Sequence, residues 1–329
     1  MSTSTPVPPE STSSGEVVDL GIPYEELTEW AVHQRAIAAI TQSDGHLYHY
    51  TDIGGLKGIL DYRQLWGTHA AYLNDSQEFA YGVESICAMI NDYAEWVQSP
   101  ESGRNVDASL LVPIMQAVRD RVLRSKEVLG DPVGPFVTCF SLYGDELSQW
   151  RGYANGGYAI CFEREALQQL TQVEAPNDDR PLTGAESAPQ LHAVEYIPKK
   201  QSEKVAEIVD EHIIELLKLA KESRLEKVPE LQRQLIHGIV PLAASIKHHA
   251  FVGEAEERLI AHTSETFYTP SKIGLIPRVR FSFEPAAVRK VIVGPSPLDD
   301  VKLRSLMRYL QKDFAHVEVV SSQVPYREL

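Results

Sequence analysis

Residues 136–163 read FVTCFSLYGDELSQWRGYANGGYAICFE. Two short runs, Phe136–Phe140 and Tyr158–Phe162, enclose a segment that carries Ser141, Asp145, Ser148, Gln149, Trp150, Arg151, Tyr153 and Asn155. Short apolar and aromatic runs bounded by turn residues read as buried strands. A plain connector between them would be small and solvated. This one holds a Trp, two Tyr, an Arg and an amide. Such groups at strand ends converge on a ligand, or they pack as an ordered Ω-loop on their own aromatics.

Outward from this pair, short strands alternate with helices. Helical spacing runs over Glu26–Gln42, Gly54–Tyr62, Ser76–Trp96 and Ser109–Leu129. It recurs over Ser202–Ser223, where Val205, Ile208, Val209, Ile213, Leu216 and Leu217 make one apolar stripe. Pro229–Lys247 reads as a further helix broken near Pro241, and Val301–Phe314 as a closing one. Leu47–Thr51, Gln64–His69, His192–Tyr196, Arg258–His262, Arg278–Phe283, Lys290–Val293 and His316–Val320 read as strands. Asn177–Gln190 reads as a loop. The expectation is an α+β fold with a mixed central sheet of short strands surrounded by helices. Residues 1–20 are expected to be a disordered tail rich in Ser, Thr, Pro and Glu. Residues 21–329 then form a single domain with a helical insertion at about 200–248.

Composition bounds the function. The chain has 329 residues, 43% of them hydrophobic, enough for a sizeable core. Its net charge of -15 argues against a broad basic face for duplex nucleic acid but leaves room for a local basic groove. Cys87, Cys139 and Cys161 make no C-x-x-C, so neither a disulfide framework nor a zinc site is implied. His248 and His249 are adjacent and point apart on a helix, a poor chelating pair, and no metal is expected. With no charged start before an apolar run, and no stretch long enough to span a bilayer, the expectation is a cytoplasmic protein without membrane contact.

Three further clusters carry chemistry. In Leu47-Tyr48-His49-Tyr50-Thr51, a strand places His49 and Thr51 on one face, fit to hold a polar ligand edge, or His49 is a core histidine bonded to backbone. In Tyr72-Leu73-Asn74-Asp75-Ser76-Gln77-Glu78, the pattern is foremost that of a helix start, with Asn74, Asp75 and Glu78 serving structure. In Glu254-Ala255-Glu256-Glu257-Arg258, a strand would project Glu254, Glu256 and Arg258 to one face, with Arg258 and Lys247 as the cations such acids need. A solvated charge run is the alternative there.

Together, L-Y-H-Y-T, Y-L-N-D-S-Q-E, C-F-S followed by L-S-Q-W-R-G-Y-A, G-Y-A-I-C-F-E, V-E-Y, K-H-H-A-F-V-G-E-A-E-E-R-L and V-I-V-G-P resemble a bacterial family defined only as a domain of unknown function. The resemblance runs from about Leu47 to Phe314 and departs at Phe251, where the pattern usually has Trp. The order of parts is also similar to the ADP-ribosyltransferase fold. That similarity implies NAD as substrate, with no metal. It implies His49 on the first strand beside the nicotinamide ribose, Ser141 or Tyr153 on a later one, and Glu256 or Glu254 as the catalytic carboxylate. Tyr50 or Trp150 would stack on a base, and Thr51, Gln149, Arg151 and Arg258 would complete the substrate-binding set. It further implies a toxin or defence effector that modifies a protein or nucleic acid, restrained by an antitoxin or regulatory partner. Two alternatives use the same pocket: an NAD hydrolase and a non-catalytic nucleotide-sensing module. A metal phosphodiesterase built on Asp75, Glu78, Asp145 and Glu256 lacks any compact ligand spacing.

Overall fold

The computed structural model describes residues 45–73, 76–103, 108–124, 134–172, 187–222, 224–263 and 266–325. The expected tail, the Glu26–Gln42 helix and the Asn74-Asp75 cap lie outside them.

The fold is α+β. Among the described residues eleven strands form one mixed sheet: β1 (His46–Thr51), β2 (Gln64–His69), β3 (Phe136–Ser141), β4 (Tyr158–Glu163), β5 (Thr171–Gln172), β6 (Ser187–Ala193), β7 (Glu256–His262), β8 (Phe267–Ser271), β9 (Gly274–Ser282), β10 (Val288–Val293) and β11 (Glu318–Ser321). The pairing of β10 with β11 is parallel, and the other strand pairs are antiparallel. The helices are α1 (Ile53–Tyr62), α2 (Ser76–Gln98), α3 (Ala108–Arg124), α4 (Arg164–Gln168), α5 (Pro198–Lys221), α6 (Val228–Ala243) and α7 (Asp299–Leu310).

Residues 187–190, read as loop, are the start of β6, paired with β7. Helix α6 runs through Pro241 and ends two residues later. The helices of the region 200–248, α5 and α6, share a core with α2 and α3. That core closes over Val137 and Ile260 of the sheet. Gly82 of α2 permits the close approach: a Cβ there would meet the Ala243 carbonyl oxygen at 2.1 Å. A second core takes Leu56, Ile59 and Leu60 of α1, Leu167 of α4 and Leu306 and Leu310 of α7. No helix among the described residues is long and apolar enough to cross a membrane.

The feature that makes a site is a fork in the sheet. Strand β7 pairs with β3 along its whole length, from Phe136 to Ser141. The opposite edge of β3 is shared. β1 meets it only at Tyr48↔Ser141, and β2 only at Thr68↔Val137 and His69↔Phe136. Between these contacts no described strand pairs with the edge, so its backbone groups find side chains instead. The Cys139 carbonyl accepts from His49 Nδ1 at 2.9 Å, and Thr138 Oγ1 donates to the Trp66 carbonyl at 3.1 Å. Helix α1 bridges the fork. Asp52 caps it, accepting from the Gly55 N–H at 2.7 Å. Arg63 ends it in the left-handed region at φ 53°.

Candidate functional site

A cleft of about 520 Å³ occupies the fork, within the size range of small-molecule sites. His49 and Thr51 enter it from β1, Trp66 and Thr68 from β2, Cys139 from β3, Glu256 and Arg258 from β7 and Arg278 from β9. Tyr72, Glu78 and Tyr153 complete its rim, so the three clusters and the central segment all reach one cavity.

Its floor is a buried ion cluster. The Arg258 guanidinium donates to Glu256 Oε2 at 2.7 Å, to Glu78 Oε2 at 2.9 Å and to the Ala244 carbonyl at 2.8 Å. Lys247 Nζ meets Glu78 at 2.7 Å, Glu256 Oε2 at 3.3 Å and Glu254. Lys247 is 0% exposed and Arg258 2%. Desolvation of this order is tolerated only when the charges are paired and hydrogen-bonded. With all five ionised, three carboxylates face two cations, and one negative charge is in excess.

The acids differ. Burial pushes the Glu256 carboxyl up, but the Arg258 and Lys247 charges overcome it and hold it below its ordinary 4.5. Both cations bind Glu256 through Oε2, leaving Oε1 outside the ion pairs. Burial raises Glu254, and Lys247 does not fully reverse it. The expectation that Glu254 lies in the strand is corrected. It ends a 3₁₀ turn, His249–Glu254, and the strand begins at Glu256. Ala255 between them is left-handed, φ 45°, a conformation costly for a residue with a Cβ. That turn lets both acids reach Lys247. Glu256 lines the cleft, and Glu254 instead sits behind the Tyr153 hydroxyl at 3.4 Å.

His49 sits across from this floor. Its Nδ1 donates to the Cys139 carbonyl, and burial lowers its pKa. The neutral ring therefore presents Nε2 as an acceptor. Burial raises Tyr153, which stays a neutral donor.

Other expected site residues are occupied by the fold. Trp150 is 0% exposed, and its Nε1 donates to Asp145 at 2.7 Å rather than facing the cleft. Asp145 also holds Ser322 and the Gln323 N–H, so it fastens the chain after β11. The Tyr50 hydroxyl donates to the Tyr143 carbonyl and accepts from the Glu146 N–H, while its ring meets Trp150 edge-on at 4.8 Å. Ser141 Oγ donates to the Glu254 carbonyl and accepts from the Tyr143 N–H. Arg151 is exposed and does not line the cleft. Gln149 is buried in a side cavity of about 60 Å³ with His49, Tyr153 and Glu256, its Nε2 without a partner among the described residues. Trp150–Ala154 form a π-helical turn, the distortion that swings Tyr153 to the cleft while Trp150 goes to the core.

The sequence pattern gives Glu78 a place in a helix start, and the structure adds its carboxylate to the ion cluster. Trp66 and Arg278 were missed altogether. The signal for Arg278 was present: Arg278 and Arg280 alternate with Val279 and Phe281 in a strand, which puts two like charges on one face. Among the described residues no three His, Cys, Asp or Glu side chains gather as a metal site.

Residues 149–259 match the model of a family described as a protein of unknown function, DUF2971, bearing out that resemblance over this stretch. The matched stretch contains Tyr153, Lys247, Glu254, Glu256 and Arg258, and it excludes His49, Glu78 and Arg278. Neither the curated proteins nor the solved structures compared with the chain give a match.

Proposed function

We propose that the cleft cleaves NAD at its nicotinamide–ribose bond, transferring ADP-ribose to a protein or nucleic-acid acceptor in the manner of an ADP-ribosyltransferase. The observation that carries this reading is Glu256. It is a buried carboxylate held ionised by two cations, with one oxygen outside the ion pairs, across a cleft from a neutral histidine. In the reaction the C1′–N1 bond breaks, and its electron pair leaves with nicotinamide. Positive charge gathers on the ribose ring, and an acceptor oxygen or nitrogen then bonds C1′ and loses its proton. Glu256 Oε1 stabilises the oxocarbenium-like centre, and the excess negative charge of the cluster acts in the same sense. His49 Nε2 accepts from a ribose hydroxyl, and the Tyr153 hydroxyl, whose proton points to Glu254, offers its oxygen as an acceptor at the rim. The acceptor, the toxin or defence role and a restraining partner are parts of the same proposal.

The test is to incubate the purified protein with NAD, with and without cell lysate, and measure free nicotinamide. Release only with lysate means transfer. Release without it means the hydrolase reading. One observation favours a non-catalytic nucleotide sensor: Glu256 Oε2 is fully engaged by Arg258 and Lys247. No release under either condition selects that reading.

His49→Ala should weaken NAD binding by up to about tenfold, the size of one lost hydrogen bond, with a smaller effect on melting temperature. Calorimetric titration and a melting curve on the same variant check this. A large drop in melting temperature at unchanged affinity would make His49 structural.

Acidification should separate the two glutamates. The Glu254 pKa is raised in the fold, so its protonation as pH falls toward 4.5 does not cost stability. The Glu256 pKa is depressed, so its stabilisation is present above 4.5 and lost as pH falls through its folded value. Nicotinamide release should therefore decline at a higher pH than melting does. Glu254→Gln should remove that upper inflection from the pH–rate profile. An unchanged profile in the variant would take Glu254 out of the site.

A further inference from the structure

The cleft has a second end of opposite character. Arg278 on β9 is half-buried, and its neutral partners fix its orientation. Nε donates to Thr269 Oγ1 at 2.8 Å and Nη1 to Thr68 Oγ1 at 2.7 Å. Among the described residues no carboxylate pairs with it, whereas Lys247 and Arg258 share three. A partly desolvated guanidinium that pairs with no acid among the described residues is costly and is relieved by an oxyanion. Burial also pulls its pKa down, as expected of a cation lacking an acid.

Its surroundings are aromatic. The guanidinium carbon lies 5.8 Å from the centre of the Trp66 ring, which is 41% exposed. Trp66 meets Phe267 edge-on at 5.2 Å, and Arg280 stacks over Phe267 at 3.6 Å. The local charge agrees: from Thr266 to Phe283 the chain carries Lys272, Arg278 and Arg280 and no acid, against -15 for the whole. The register explains the grouping, since Trp66 pairs with Arg280, and Thr68 and Phe267 both pair with Arg278. All project to one face of the β2–β9–β8 ladder.

We propose that Arg278 and Trp66 form a subsite for a nucleotide, Arg278 taking a phosphate oxygen and Trp66 stacking on the base. A guanidinium whose fork is set by two hydroxyls suits phosphate, and a part-exposed indole in the cleft lining suits any base. The inference rests on the reading that this cleft takes a nucleotide, but not on the glycosyl step. The phosphate and base can belong to a free nucleotide or to a single strand.

Titration calorimetry with ADP, adenosine and a short single-stranded oligonucleotide tests it on the full chain. ADP should bind at least about tenfold more tightly than adenosine, the scale of one charge-assisted contact. Arg278→Gln should abolish that preference, and Trp66→Ala should weaken both ligands alike. If Arg278→Gln does not fold, Arg278→Lys should keep the charge yet reduce the preference, because the fork is lost. Arg278-dependent binding tighter for the oligonucleotide than for ADP supports the site with a strand as the source, and ADP alone supports it with a free nucleotide. Equal binding of ADP and adenosine by the wild type, no binding of any of the three probes, or a preference that survives in Arg278→Gln overturns it. An Arg278-dependent preference in a protein that releases no nicotinamide keeps this site and removes the glycosyl reading. Release with an Arg278-independent preference does the reverse.

Discussion

Glu256→Gln is expected to lower nicotinamide release by on the order of a hundredfold or more, the scale of a lost electrostatic contact at a transition state. The substitution keeps shape and hydrogen-bonding capacity but removes the charge that Arg258 and Lys247 hold in place. It also leaves those cations with only Glu78 and Glu254, so part of the effect falls on stability. The assay therefore belongs well below the melting temperature of the variant, with ADP affinity as the measure of an intact cleft. Activity lost while ADP still binds assigns the charge to the chemical step. Near-normal release in Glu256→Gln with an inactive Glu254→Gln would exchange the two roles. Near-normal release in both would end the enzyme reading.

Arg258→Met is expected to cost about 3–5 kcal/mol of unfolding free energy, as when one partner of a buried ion cluster is removed. Arg258 is 2% exposed and ties β7 to α2 through Glu78 and to the end of α6 through the Ala244 carbonyl. Without it, Lys247 alone faces three carboxylates in a desolvated floor. Denaturant titration measures the loss. Adding Glu78→Gln should recover part of it, because the second change removes a charge the first left unpaired, and the effects of neighbours do not add. A loss under about 1 kcal/mol would place the cluster among weak surface pairs and remove it as the bond between helical layer and sheet.

Much of the element pattern was legible locally. The apolar stripe from Val205 to Leu217 is a helical repeat, and α5 follows it. Phe136–Phe140 and Tyr158–Phe162 are strands for the reason their composition suggests, since both are buried on both faces. The segment Phe267–Ser271 was not legible. Pro270 argues against a strand, and β8 tolerates it because among the described residues it pairs only with β9 and lies at an edge. The start of β6 looked like loop because no local signal shows that β7 offers it a free edge.

The site divides along the same line. His49, Tyr153, Glu256 and Arg258 stood out from sequence alone, because each is a polar group placed by strand or turn periodicity beside apolar runs. Glu78 did not stand out as a ligand of charge, since an acid in a first helical turn has a sufficient local reason to be there. Its carboxylate reaches Arg258 across 180 residues of chain only because Gly82 lets α2 lie against the end of α6. Trp150 and Tyr50 drew attention as possible stacking platforms, but a large aromatic gains most where it is wholly buried, and both went to the core. Sequence by itself determined most of the helices and the apolar strands of the core, and which polar groups have no local use. The tertiary structure alone decided that β1 and β2 share one edge of β3 and open a cleft between them. It alone decided which charges meet there, because pairing and desolvation depend on neighbours that are distant in the chain.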